Sequence, residues 1–205
     1  LEAKVAEKTR ELEEKRERLE ALYDVTALVA KATTLSELAG GFADRVRRVA
    51  RADGVALRWA DEANERFLLL AADGLPPSMA DGEQCLRAGD CRCGDVAPAD
   101  GVRVIPIEDA SPLALRHCGQ AGYATLVSIP LRLHDRLMGE VDLFYHAQMK
   151  LSDAERSLLE ALAAHLAGAM ENLRLNALER EAAVAQERTF IARELHDSIA
   201  QSLAF

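Results

Sequence analysis

The chain has 205 residues, a formal net charge of −9 and 49% hydrophobic content, enough for one globular core with extensions or for two small domains. Lys and Arg nowhere cluster clear of neighbouring acids, which argues against direct nucleic-acid binding, since phosphate neutralisation needs a basic face. No apolar run of about 18 residues and no signal-peptide core occurs, so this stretch is expected to be soluble.

From Leu1 to Glu20 charged residues of both signs interleave, with no Gly or Pro. Val5, Leu12 and Leu19 repeat every seven residues and Leu22 completes the next step, a heptad seam that predicts a parallel coiled coil of two chains. The intervening core positions, Lys8 and Lys15, are charged, so the seam is imperfect, and a solvated single helix is the alternative. The helix continues through Leu22 to Ala32, and Thr34 to Ser36 offers a cap for a second one reaching about Arg51. Gly54 breaks it.

Strand patterns follow at Val55 to Trp59, Arg66 to Ala71, Val102 to Ile107, Thr125 to Leu133 and Leu137 to Tyr145, the last two joined as a hairpin by His134-Asp135-Arg136. The section between the second and third strands reads as long and irregular, and a short helix is expected near Pro112 to Cys118. This order gives an α+β fold with a mainly antiparallel sheet. Ser152-Asp153-Ala154-Glu155 then starts a helix with no proline through Phe205. About 50 helical residues at 1.5 Å each would extend roughly 75 Å, longer than a core of this size can cover, which predicts pairing with another copy as a homodimer.

Four cysteines, Cys85, Cys91, Cys93 and Cys118, stand out, three of them in a Gly/Asp-rich stretch from Gln84 to Asp95. Four thiols can hold zinc or an iron–sulfur cluster, although Cys-x5-Cys-x-Cys departs from the usual Cys-x2-Cys knuckle. A redox pair beside Arg87 and Arg92, or no cofactor at all, are the other readings. His117 beside Cys118 is a further ligand candidate, against which stands an ordinary helix-end histidine. His165 lies among Leu162, Leu166 and Ala169, where packing at a dimer seam is the simplest account.

The last helix carries Ile191, Leu195, Ile199 and Leu203 every four residues, a stripe for a partner helix, with His196-Asp197 at its edge and Gln201 further along. A neutral imidazole can attack a phosphoryl group while a neighbouring carboxylate takes its proton. A carboxamide one turn on can orient water for the reverse hydrolysis. The run from Glu187 to Leu203 resembles the H-box of bacterial sensor histidine kinases, in the His-Asp-x-x-x-Gln subfamily that includes nitrate/nitrite sensors of the NarX type. The resemblance implies His196 as phosphoacceptor, Asp197 as general base and Gln201 as the phosphatase residue. It also implies a response regulator with DNA-binding output as partner. The rest of a dimerisation bundle and an ATP-binding domain are not found here, so the segment is expected to be inactive alone, with ATP bound elsewhere in the parent.

The preceding elements, with Ser128-Ile129-Pro130-Leu131 and Gly139-Glu140-Val141-Asp142-Leu143 as the last hairpin, resemble a GAF domain. Tyr23 and the cysteines are similar in placement to features of the NarX-type central module. The expected organisation is a signalling coiled coil over 1–21, a GAF-like sensory domain over 22–175, and a connecting and first phosphotransfer helix over 176–205. The resemblance implies the cytoplasmic portion of an inner-membrane protein, since membrane helices and a periplasmic sensor would lie upstream. The alternatives are a non-enzymatic GAF-type ligand-binding or dimerisation module, or a metal- or redox-responsive sensor built on the cysteines.

Overall fold

The computed structural model describes residues 2–89, 101–107 and 116–203, and side chains over 4–89, 101–107 and 117–194. The chain divides into two compact units, Leu1–Ala169 and Met170–Phe205. In the first unit, α1 (Glu2–Lys31) is followed by α2 (Leu35–Val49), then β1 (Gly54–Ala60) and β2 (Arg66–Asp73). Next come α3 (Pro77–Gly82), β3 (Cys85–Arg87), β4 (Arg103–Pro106), α4 (Arg116–Gln120), β5 (Thr125–Leu133) and β6 (Arg136–Tyr145). The helix α5 (Asp153–Leu203) has 51 residues and ends in the second unit.

Caps set the helix starts as the sequence leads one to expect. The Thr34 hydroxyl accepts from the Glu37 amide at 3.2 Å, and the Glu37 carboxylate accepts from the Thr33 amide at 3.0 Å. These bonds hold the Glu37 carboxyl below its ordinary range. At α5 the Ser152 amide donates to Glu155 at 2.8 Å, and the Ser152 hydroxyl accepts from the Glu155 amide at 3.3 Å. This reciprocal pair satisfies two otherwise unpaired amides and holds Glu155 below its usual range.

Six strands form one antiparallel sheet in the order β3-β2-β1-β6-β5-β4. The central pair, β1 and β6, is buried over most of its length. Register then sorts the side chains. Val55 faces Leu143 and Leu57 faces Val141, and Val127 and Ile129 on β5 align with Leu143 and Val141. These residues build one apolar face, while α2 packs on β1 and β2 and buries Leu38, Phe42 and Val46. Leu159, Leu162 and Leu166 of α5 are also buried.

The opposite face is covered by α3 and α4. Met79 of α3 and Cys118 of α4 join Ala56, Phe67, Leu86, Leu126 and Phe144 in a second apolar cluster. Neither α3 nor β3 was legible in the section expected to be irregular. The expected short helix occurs at Arg116–Gln120, and residues 112–115 lie outside those described. The hairpin turn is His134-Asp135, with His134 left-handed at φ 53°.

Along α1, Val5, Leu12 and Leu19 are 60%, 65% and 67% exposed, so the heptad stripe is open in the single chain. Glu11 accepts from Lys8 at 2.5 Å and from Lys15 at 2.7 Å. Among the described residues no helix is long and apolar enough to cross a membrane.

Candidate functional site

The backbone of α5 is helical through His196, Asp197 and Gln201. Their side chains lie outside the described residues. Earlier in the same unit, Leu178, Val184, Phe190 and Ile191 are 47%, 49%, 61% and 47% exposed. A single chain thus leaves large apolar groups in water on the stretch of α5 that precedes His196 and Asp197, as a helix built for a partner would.

The four-cysteine site is tested only in part, because Cys91 and Cys93 lie outside the described residues. Cys85 is not in a loop as expected but opens β3, where it pairs with Leu68 and is exposed. Cys118 is buried in the apolar cluster under α4. Among the described residues no three His, Cys, Asp or Glu side chains converge as metal ligands would. His117 turns to a carboxylate, with Nδ1 3.4 Å from Glu83 Oε1. His165 is exposed.

A buried ionic group on the covered sheet face went unread in the sequence. Arg58 on β1 is fully buried and donates through Nη1 to Asp142 and through Nη2 to Glu83. Glu83 directly follows α3, so Arg58 ties that cover to the central strands. Glu140 pairs with Arg58 in register, two residues before Asp142 on β6. Burial first, and the Asp142 charge second, raise the Glu140 carboxyl well above its ordinary value, with Arg58 and Arg103 opposing. On the other side of β6, Arg103 donates to Ser128 Oγ at 3.3 Å. Glu140 and Asp142 alternate with Val141 and Leu143, a pattern that ordinarily marks a solvent face. The available signal was Arg58, one cation inside the apolar run Val55-Ala56-Leu57-Arg58-Trp59.

A six-stranded antiparallel sheet with helices on one face and a short-helix cover on the other is matched by known domains. The family model for GAF domains matches residues 34–170. This chain belongs to the GAF domain family. A histidine kinase family model matches residues 187–205, beginning on α5 beyond the stretch that follows the GAF match. Sensor histidine kinase YhcY of Bacillus subtilis (strain 168) is 31% identical over 144 residues, covering 65% of this chain and 37% of that protein. The chain therefore spans little more than a third of that relative.

Among solved structures, the GAF domain of a phosphoenolpyruvate-protein phosphotransferase from Coxiella burnetii superposes with a TM-score of 0.67 at 22% identity, covering 80% of this chain and 98% of that one. The GAF domain of the Acinetobacter phosphoenolpyruvate-protein phosphotransferase gives 0.65 at 19% identity, covering 78% and 96%. Free methionine-R-sulfoxide reductase from Neisseria meningitidis, solved with its substrate, gives 0.63 at 18% identity, covering 78% and 91%. At these identities the likeness establishes the fold. Strand register puts the Arg58 group on the same sheet face as Ala56, which packs with Met79 of α3 and Cys118 of α4.

Proposed function

We propose that this chain is the signal-transmitting part of a two-component sensor histidine kinase, in which a GAF domain controls a phosphoacceptor helix. The observation that supports this most is the histidine kinase match over 187–205, carried by the helix that leaves the GAF domain without a break. The kinase relative, 31% identical over 144 residues, points the same way.

His196 is the phosphoacceptor in this reading. Its neutral imidazole attacks the γ-phosphoryl group of ATP held by a separate domain of the parent, and the attacking ring passes its N–H proton to Asp197. Gln201 orients water for hydrolysis of the phosphorylated partner. That partner is a response regulator with DNA-binding output. The parent is membrane-anchored, and its signal, with nitrate or nitrite as the candidate from the NarX-type resemblance, arrives through α1. A change in rotation or register of paired helices then alters access to His196, a switch that needs only a few kcal/mol between two packings.

The test supplies a histidine kinase ATP-binding domain in trans with labelled ATP. Label is expected on His196 and lost in His196→Gln. Asp197→Asn should slow labelling about 10²-fold or more, as removal of a general base does, while Gln201→Ala should spare labelling and slow dephosphorylation of the regulator. Acid-labile label absent from a folded wild-type chain, or retained in His196→Gln, overturns the reading.

A further inference from the structure

The cations of the stretch 185–201, which holds the phosphoacceptor motif, are Arg188 and Arg193. Helical geometry sets them apart. The backbone is helical through this stretch, so at about 100° and about 1.5 Å per residue Arg193 stands about one turn before both His196 and Asp197. Around the axis it lies about 60° to one side of His196 and about 40° to the other side of Asp197. It thus occupies the helix surface between acceptor and base. Arg188 is about two turns, roughly 12 Å, from position 196. Ile191 and Leu195 stand about 160° around from Arg193, so the face that carries Arg193 stays open when the apolar stripe is paired.

The Arg193 side chain is exposed, and among the described residues no ion pair or hydrogen bond holds it. With Thr189 and Phe190 it lines a shallow groove on this face. The Thr189 hydroxyl donates to the Ala185 carbonyl at 2.9 Å, and Phe190 brings an apolar ring, so neither neutralises the guanidinium. Arg174, earlier on α5, is treated differently: both oxygens of Glu171 hold it, at 2.7 and 2.8 Å. The residues three and four away from Arg193 are Thr189, Phe190, His196 and Asp197. The single acid among them is the general base itself, placed after the cation, the order that favours a helical ion pair least.

We propose that Arg193 binds the phosphoryl group in transit to His196, an assignment that rests on the phosphotransfer reading above. In that step an imidazole nitrogen forms its bond to the γ-phosphorus of ATP as the bond from that phosphorus to the bridging oxygen breaks. The electron pair leaves with ADP, and the ring N–H proton goes to Asp197. The non-bridging oxygens of the moving group stay negative throughout. Two N–H groups of Arg193 donate to them as a planar fork, which suits a phosphoryl group better than a point charge does. The guanidinium gives up no proton. It acts by stabilising charge where the group is transferred. On this helix face position 196 shares its space with the residues three and four before it, and the small Ala192 leaves that space to Arg193.

The test uses the full chain, a histidine kinase ATP-binding domain added in trans and labelled ATP. The rate of labelling is measured against the concentration of that domain, which separates the rate at saturation from the half-saturating concentration. Arg193→Ala is expected to lower the saturated rate about tenfold or more. The loss should stay below the 10²–10³ or so of an enclosed oxyanion donor, because this face is open to water. Arg193→Lys keeps the charge without the fork and should fall between the two. A residue that only docked the domain, or only supported the helix, would not lower the saturated rate. A wild type labelled on His196 with Arg193→Ala labelled equally fast, or slowed only through a higher half-saturating concentration, overturns this assignment and leaves the phosphotransfer reading standing. A folded wild type that takes no label overturns both. Lys matches Arg closely in helix propensity, so should the Ala variant fail to fold, an Arg193→Lys rate equal to that of the wild type overturns the assignment.

Discussion

Gly139 sits opposite Trp59 in the pairing of β1 with β6. A Cβ there would run into the Arg58 carbonyl oxygen and come within 3.2 Å of Trp59 Cα. Both obstructions are backbone, so the two central strands would have to part; no side chain can swing aside. Gly139→Ala is expected to cost about 1–3 kcal/mol, the range for overfilled cores, read as a lower urea midpoint with an unchanged slope. Gly40, inside α2, is the opposite case. It is exposed and a Cβ there meets nothing within 4 Å, so Gly40→Ala should stabilise by about 0.4–1 kcal/mol through the lost freedom of the unfolded chain. The same urea titration reads both signs.

At the level of elements, what the sequence made legible was local chemistry. Thr34 and Ser152 are cap residues with an acid three positions on, and both starts are found where that chemistry puts them. Ser152→Ala should accordingly cost about 1 kcal/mol. The two longest strands and their hairpin were legible too, because β-branched and apolar residues run up to a polar two-residue turn. α3 and β3 were not. They have six and three residues, too short for periodicity to register, and are stabilised by contacts far along the chain, Met79 in the apolar cluster and Leu86 opposite Phe67 on β2. The Arg58 group escaped for a different reason: alternating charges look solvated until pairing shows them facing one another. Its weight can be measured. Arg58→Ala leaves Glu83 and Asp142 buried without their shared cation and is expected to cost about 3–5 kcal/mol. Adding Asp142→Asn should recover part of that loss, and the non-additivity in urea unfolding is the check.

For the whole molecule, the helical stretches that flank the GAF domain leave apolar stripes without a partner in a single chain, and in α1 the stripe carries its own restraint. Lys8 and Lys15 occupy the core positions between Val5, Leu12 and Leu19, where charge weakens a coiled coil while fixing its pairing. Both ammonium groups bond the same carboxylate, Glu11, and bring its carboxyl down to about 2. The tie is therefore present above the ordinary carboxylate value and is lost only as pH falls through about 2. Being at the surface, it is also screened by salt, with a Debye length of about 8 Å at physiological ionic strength. A seam whose charges are neutralised within each helix gains little from the partner at those positions. It can then part and re-form at small cost. Replacing both lysines, Lys8→Leu with Lys15→Leu, should remove that restraint. Self-association of the full chain is expected to tighten about tenfold or more in Kd, which corresponds to at least about 1.4 kcal/mol. Sedimentation equilibrium at low and high salt is the measurement, and the doubly substituted chain should show the weaker salt dependence. An unchanged Kd would place α1 outside any surface through which the chain self-associates.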